Sequence, residues 1–328
     1  MTHYFTGRAK EAPSQPARVP APRRQRHTDP AGYLADEGLV AAVNVSLMLG
    51  QPLLLTGDPG VGKTQLAYRV AWELGFHGPL MFETKSASSA KDLFYTFDSL
   101  RRFHAAQTPD ASQDNLDYLS YNALGQAILF SREPEEVKQW LPADTTHPGR
   151  RRSVVVIDEV DKAPRDFPND LLNELDNLYF RIPELRNQRI DANKDERPVV
   201  IITSNSEKNL PDPFLRRCVY YHIPFPEPER LAEIVVQRVE SLDAVDRPLL
   251  ATGLEFFLKL RERGLRKRPS PAELIQWFQL LVLRGVSPKQ KLSECEPQVR
   301  ESISALVKCQ EDLEPTDSFL KEFFGGGR

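Results

Sequence analysis

The most informative stretch of this chain reads Leu53-Leu-Leu-Thr-Gly-Asp-Pro-Gly-Val-Gly-Lys-Thr64. It opens with a short apolar run, which predicts a buried strand. After Thr64, apolar residues recur at helical spacing at Leu66, Val70 and Leu74, which predicts a helix. The intervening pattern G-x-x-x-x-G-K-T is that of a phosphate-binding loop, in which backbone N–H groups and a helix N-terminus surround phosphate oxygens. The residues expected to contact a nucleotide are Asp58, Pro59, Gly60, Val61, Gly62, Lys63, Thr64 and Gln65.

Two acidic residues follow a second apolar run, Ser153–Asp158, which is short, β-branched and therefore predicted to be a buried strand. In open α/β sheets, ligands bind beyond the carboxyl ends of the strands. We therefore expect Lys63 to reach the β- and γ-phosphates, and Asp158 to hold Mg²⁺ together with the Thr64 hydroxyl. Glu159 is the candidate general base that polarises an attacking water.

Three further strands are predicted at Leu80–Phe82, Val199–Thr203 and Val219–Ile223. Short buried strands that alternate with helices favour an α/β fold, with a parallel sheet covered on both faces. Asn205 follows the Val199–Thr203 strand. Its side chain is expected beside the nucleotide, where it can bind the γ-phosphate or the attacking water.

The order of these signals predicts an α/β domain followed by an all-helical one. We place a Pro- and Arg-rich segment at 1–28, either a flexible tail or a docking arm, then the α/β domain at 29–225 and the helical domain at 226–328. A polar insertion occupies 85–150. Helices are predicted at Tyr33–Leu49, near Lys91–His104, Asn115–Phe130 and Pro134–Trp140, at Asp170–Leu178, Leu231–Leu242, Leu249–Arg263 and Ala272–Arg284, and near Pro297–Glu311.

Three local signals refine this outline. Phe180–Ile182 and Arg189–Ile190 can pair as a hairpin. Ser270-Pro-Ala-Glu273 is a capping box with proline at the first helical position. The last stretch, Phe323–Arg328, is expected to fray.

The bulk composition is that of an ordinary globular protein, with 27% charged and 40% hydrophobic residues. A formal net charge of −3 gives no general attraction to nucleic acid or anionic membranes. No apolar run approaches the length of a membrane span. The three cysteines are an odd number without metal-binding spacing, which favours free thiols in a reducing cytoplasm.

Four of these segments together resemble the AAA+ ATPases, and most nearly their MoxR branch. They are Gly57–Thr64, Val154–Lys162, Ile202–Asn205 and Leu210–Arg217, which occur in the family's order and spacing. The resemblance covers about residues 30–290. It implies a P-loop NTPase three-layer αβα core, with a five-stranded parallel sheet in the order 5-1-4-3-2 and a C-terminal helical lid domain.

The resemblance also implies ATP hydrolysis, with Mg²⁺, between the subunits of a homo-oligomeric ring, usually a hexamer. In that scheme Asp158 is the Mg²⁺-side acid, Glu159 the base and Asn205 the sensor that positions water. Arg217 aligns with the finger that reaches a neighbouring subunit, and Arg216 is an extra arginine beside it.

One departure concerns the lid. MoxR proteins carry Ser-Pro-Arg at a lid helix start, whereas Ala272 follows Ser270-Pro271 here. Either this chain lacks the role of that arginine towards the γ-phosphate, or the role moves to Arg266, Lys267 or Arg268, of which we favour Arg268. The 85–150 insertion matches no family motif.

Two functions from different classes are compatible with these residues. The first is a chaperone-like ATPase that remodels a partner protein, such as one with a von Willebrand factor A domain. The second is the motor subunit of a nucleic-acid-targeting defence or restriction complex, with GTP as a possible fuel. The run Arg150–Arg152 and the basic 1–28 segment could touch phosphates, but the net charge gives no broad footprint.

Overall fold

The computed structural model describes residues 29–107, 114–206, 210–239, 242 and 247–325. The predicted 1–28 segment and the final three residues lie outside this part of the chain. The chain divides into two compact units. One comprises 35–58 and 62–224, and the described residues of the other fall in 29–34, 59–61 and 225–325.

The α/β unit contains the strands of the structure. Over the described residues these are β1 (Leu53–Thr56), β2 (His77–Glu83), β3 (Tyr95–Phe97), β4 (Leu119–Tyr121), β5 (Ser153–Asp158), β6 (Tyr179–Ile182), β7 (Gln188–Asp191), β8 (Val199–Thr203) and β9 (Val219–His222). Its helices are α1 (Glu37–Leu49), α2 (Lys63–Leu74), α3 (Ser99–Ala105), α4 (Ala123–Phe130), α5 (Pro134–Val137), α6 (Phe167–Asp170), α7 (Leu172–Asn177) and α8 (Asp212–Leu215).

Five of these strands form one parallel sheet in the order β2-β5-β8-β1-β9. If only these five strands are numbered, in chain order, their order across the sheet is 2-3-4-1-5. Every residue of β1 is buried, as are the first five of β5. This explains their unbroken apolar sequences, because a parallel sheet with helices on both faces exposes neither side of a central strand.

The insertion contains a second, two-stranded sheet that the sequence analysis missed. β3 and β4 pair antiparallel, with Tyr95 opposite Tyr121 and Phe97 opposite Leu119. The helices predicted near Lys91–His104 and Asn115–Phe130 are therefore wrong over these residues. Tyr95, Leu119 and Tyr121 are buried, and Thr96 and Ser120 between them are exposed, so the segments follow the two-residue period of a half-buried strand.

The region after β5 is more broken than predicted. Instead of one helix over Asp170–Leu178, two short helices, α6 and α7, are separated at Leu171, and Leu178 ends α7 in the left-handed region with φ 47°. The predicted hairpin is confirmed as β6 and β7, which pair antiparallel with Phe180 opposite Ile190.

The helical unit contains α9 (Pro228–Arg238), α10 (Pro248–Arg261), α11 (Pro271–Leu283), α12 (Glu296–Ser302) and α13 (Leu313–Gly325). The capping box is confirmed, because the Ser270 side chain accepts from the Glu273 N–H and Glu273 accepts from the Ser270 N–H. The predicted helix near Pro297–Glu311 is wrong beyond Ser302, where 3₁₀ turns follow. No helix was predicted over Leu313–Gly325, and residues 323–325, expected to fray, belong to α13.

The core of the helical unit is aromatic. Phe256, Trp277 and Phe319 are essentially buried, and the ring of Phe256 lies 5.3 Å from Trp277 and 5.0 Å from Phe319, centroid to centroid. α13 is thus held by burial of its apolar face, since such aromatic pairs add to the free energy gained by removing apolar area from water. None of the helices in the described part of the chain is long and apolar enough to cross a membrane.

The packing of α4 against Phe94 within the insertion gives a stability prediction. A Cβ added at Gly125 would lie 2.0 Å from the carbonyl oxygen of Phe94. Replacement of glycine by alanine inside a helix normally stabilises that helix by about 1 kcal/mol. Overpacking against a backbone atom costs about 1–3 kcal/mol, so the clash should dominate here. We expect Gly125→Ala to lower the free energy of unfolding and the melting temperature, measured by urea titration and calorimetry.

A matched control is Gly325→Ala, because nothing lies within 4 Å of a Cβ built at that position. This variant should unfold like the wild type within about 0.5 kcal/mol. Equal stability of the Gly125→Ala protein would contradict the close approach of α4 to Phe94.

Candidate functional site

The phosphate-binding loop joins β1 to α2. Three of its glycines have positive φ: 144° at Gly57, 77° at Gly60 and 95° at Gly62. Residues with a Cβ rarely adopt such angles, so the loop conformation requires glycine at these positions. Gly62 precedes the first residue of α2, Lys63, and the helix therefore presents its free N–H groups directly after the loop.

Lys63 is held by three oxygens around its ammonium group. Its Nζ donates to the carbonyl oxygens of Gly57 and Asp58, at 2.8 and 3.1 Å, and to Oδ1 of Asn205, at 3.0 Å. An ammonium has three donors, so these acceptors satisfy all of them. Burial lowers the pKa of Lys63 from its ordinary value, and the nearby carboxylates of Asp161 and Asp158 act in the opposite direction.

The carboxylate of Asp158 joins the phosphate loop to β8. Its Oδ1 accepts from the hydroxyl of Thr64 at 2.9 Å and from the hydroxyl of Thr203 at 2.6 Å. A hydroxyl and a carboxylate are the hard oxygen ligands that Mg²⁺ binds in nucleotide sites, where it usually retains waters and takes the rest of its ligands from phosphates. The two side chains predicted to hold Mg²⁺ therefore lie together and fit that ion.

Glu159 lies one residue further on, in an unusual backbone conformation. Its φ is 54°, in the left-handed region that a non-glycine residue adopts at a cost of about 1–3 kcal/mol. The Thr203 hydroxyl accepts from the Glu159 N–H at 2.9 Å, and the Glu159 carboxylate pairs with Lys162. The side chain is 40% exposed, so this carboxylate is open to water.

Two neighbouring residues also belong to this network, although the sequence did not single them out as site residues. Thr203, the last residue of β8, binds both acidic residues as described above. Asp161 accepts from the Ser204 hydroxyl and from the Asn205 N–H, both at 3.1 Å on Oδ1. The sequence signals that could have found them are a hydroxyl at the strand end and a third acid within four residues.

Arg216 and Arg217 of the α/β unit make no hydrogen bond to this network among the described residues. Arg216 and Arg217 follow α8 and are exposed. Arg217 Nε donates to the Asp176 carboxylate at 2.7 Å. Arg268 is an exposed residue of the helical unit. The structure thus brings Lys63, Thr64, Asp158, Glu159 and Asn205 together, and it pairs Arg217 with Asp176.

The fold and this network define the class: an α/β protein with a phosphate-binding loop and two strand-end acids beside it. A model of the ATPase family associated with various cellular activities (AAA) matches residues 53–226. The chain belongs to this family, and it is an ATP hydrolase that uses ATP with Mg²⁺. Members of the family typically form ring oligomers.

Two solved structures of RuvB mutants from Thermotoga maritima are similar to this chain. Both are 18% identical to it. The first similarity covers 92% of this chain and 81% of the RuvB chain, with a TM-score of 0.48. The second covers 89% of this chain and 76% of the RuvB chain, with a TM-score of 0.47. No curated protein matches the sequence.

The double contact of Thr203 gives a prediction about turnover. Thr203→Val keeps the side-chain shape but removes the hydroxyl that binds Asp158 and the Glu159 N–H. An unpaired buried group costs about 1–3 kcal/mol, and both acids lose a fixed position. We expect kcat for ATP to fall by about 10-fold or more, with a smaller change in ATP affinity, measured by phosphate release and nucleotide binding.

A matched control is Thr252→Val in the helical unit, which also removes a hydroxyl with two hydrogen bonds, to Pro248 O and from Leu292 N. It should lower stability but leave kcat near the wild-type value. Equal kcat for both variants would argue against a role for Thr203 in holding the acids.

Proposed function

We propose that this protein is a MoxR-like AAA+ ATPase that hydrolyses ATP at the interfaces of a ring and uses the energy to remodel or activate a partner protein. The observation that carries the ATP site is the hydrogen-bonded chain from Lys63 to Asn205 and from Thr64 through Asp158 to Thr203. These hydrogen bonds support the proposal that Lys63 contacts phosphate, that Thr64 and Asp158 hold Mg²⁺ and that Asn205 positions water.

The MoxR assignment is supported by features outside the phosphate loop. The hairpin β6–β7 follows the short helix α7 after the acidic motif, and Leu210–Arg217 surrounds α8. We also propose the family strand order 5-1-4-3-2, which the position of β1 between β8 and β9 supports. The same proposal includes the domain limits 29–225 and 226–328 and a hexameric ring. It also includes a partner with a von Willebrand factor A domain and a cytoplasmic location.

Each residue has a stated task in the proposed reaction. The phosphate loop and Lys63 bind and orient the triphosphate, and Thr64 and Asp158 would hold Mg²⁺, which when bound neutralises charge on the phosphates. Asn205 orients water, and Glu159 accepts its proton as it attacks. Arg217 of one subunit contacts the nucleotide of the next, with Arg216 beside it, and Arg268 serves as the lid sensor.

The nucleic-acid alternative has less support. The three arginines of 150–152 each contact their own chain: Arg150 the Glu133 carboxylate, Arg151 the Pro148 carbonyl and Arg152 the Asp195 carbonyl. A formal charge of −3 likewise gives no footprint for a phosphate backbone.

The role of Glu159 is tested by Glu159→Gln. The amide keeps the size and the hydrogen-bonding reach of the side chain but cannot accept a proton from water. We expect ATP binding within about threefold of the wild type and a loss of hydrolysis of about 100-fold or more, measured by single-turnover phosphate release. Phosphate release at the wild-type rate would reject Glu159 as the base.

The role of Arg217 is tested by mixing subunits. Arg217→Ala rings lack the finger, and Lys63→Ala rings lack the phosphate contact, so each alone should be nearly inactive. In mixed rings some interfaces combine an intact Lys63 with an intact Arg217 of the neighbour, and activity should return as a function of the mixing ratio. Activity that stays at the sum of the two variants at every ratio would argue against a shared site.

A further inference from the structure

Asp161 connects the loop after β5 to the loop after β8. It lies in the 3₁₀ turn Val160–Lys162, directly after Glu159. The turn is closed by the N–H of Lys162, which donates to the Glu159 carbonyl at 2.9 Å. Asp161 is therefore two residues from the candidate base, and its carboxylate reaches the loop that follows β8.

The acceptor atom on Asp161 holds two groups of the facing loop. Its Oδ1 accepts from the hydroxyl of Ser204 and from the backbone N–H of Asn205. Ser204 is fully buried, and its single hydroxyl proton is shared between Asp161 Oδ1 and the carbonyl oxygen of Ser206, which lies 2.6 Å away. These bonds fix the main chain at Asn205, the residue whose side chain reaches the ammonium of Lys63.

We propose that Asp161 is a positioning residue for ATP hydrolysis, which holds Asn205 in register with Glu159. The proposal rests on the proposed function of Asn205 as the residue that orients the attacking water. The turn that carries Asp161 then fixes the positions of both the group that takes the proton and the group that aligns the water. A small displacement of Asn205 would misplace that water without removing a phosphate contact, and errors of about 1 Å in such groups cost about 100-fold in rate.

The test compares four single variants and one double variant, Asp161→Ala combined with Asn205→Ala, in the full chain. Asp161→Ala removes the acceptor, Asp161→Asn keeps an oxygen acceptor but not the charge, and Asn205→Ala removes the side chain that is positioned. Asp166→Ala is the matched control, because Asp166 is an exposed acid five residues further along the chain with no side-chain cap hydrogen bond. Each variant is measured for kcat, for affinity towards a fluorescent ATP analogue, and for amide exchange at residues 204–206.

We expect Asp161→Ala to lower kcat by about 10-fold or more with little change in nucleotide affinity, and to speed exchange of the Asn205 amide. Asp161→Asn should recover most of the turnover. In the Asn205→Ala background, Asp161→Ala should cause little further loss, because both act through the same group. Asp166→Ala should match the wild type in all three measurements.

Several results would overturn the proposal. Equal losses of kcat in the Asp161→Ala and Asp161→Asn proteins would show that turnover depends on the negative charge of Asp161 near Lys63 and not on its hydrogen bonds. Independent, additive losses in the double variant would show that Asp161 does not act through Asn205. Unchanged exchange at Asn205 in Asp161→Ala would reject the contact itself, and this readout holds whether or not the protein hydrolyses ATP. An Asn205→Ala protein with full activity would instead reject the proposed function of Asn205.

Discussion

The parallel register of β5, β8 and β1 is the constraint on which the site depends. Ile157 lies opposite Ile202, and Thr203 lies opposite Leu55. The three strands therefore end side by side, and the residues that follow them meet at one edge. A shift of one residue between two of these strands would turn every side chain of the moved strand to the opposite face of the sheet and would separate Asp158 from Thr203.

Charge balance at this edge follows from that register. One buried ammonium, at Lys63, lies among the carboxylates of Asp58, Asp158, Glu159 and Asp161, which favour its charged form against the cost of burial. The surplus of negative charge explains why a cation suits the place where Thr64 and Asp158 meet. It also explains the hydroxyls, since carboxylates close to one another need donors to satisfy their oxygens.

The elements that could be predicted from the sequence are those with a strong local signal. The β-branched run at Val154–Ile157, the glycines of the phosphate loop and the capping box at Ser270 each state their structure within a few residues. The pairing of β3 with β4 could not be read in the same way, because each strand has three residues and a helical pattern fits the surrounding sequence as well. The contacts of Asp161 and Thr203 depend on how two loops far apart in the chain face each other, which only the tertiary register sets.

The pair of Arg217 with Asp176 bears on how a ring could use this arginine. The two side chains are 44% and 40% exposed, and ion pairs of this kind contribute about 0–1 kcal/mol. A triphosphate offers a guanidinium several charged oxygens and bidentate geometry, whereas Asp176 accepts from Arg217 through Nε. Exchange of Asp176 for a neighbour's phosphates would therefore cost little, and in the proposed ring Asp176 would hold Arg217 until a subunit with bound nucleotide adjoins it. In the proposed ring, this low cost would let Arg217 pair within its own chain and still bind the nucleotide of another subunit.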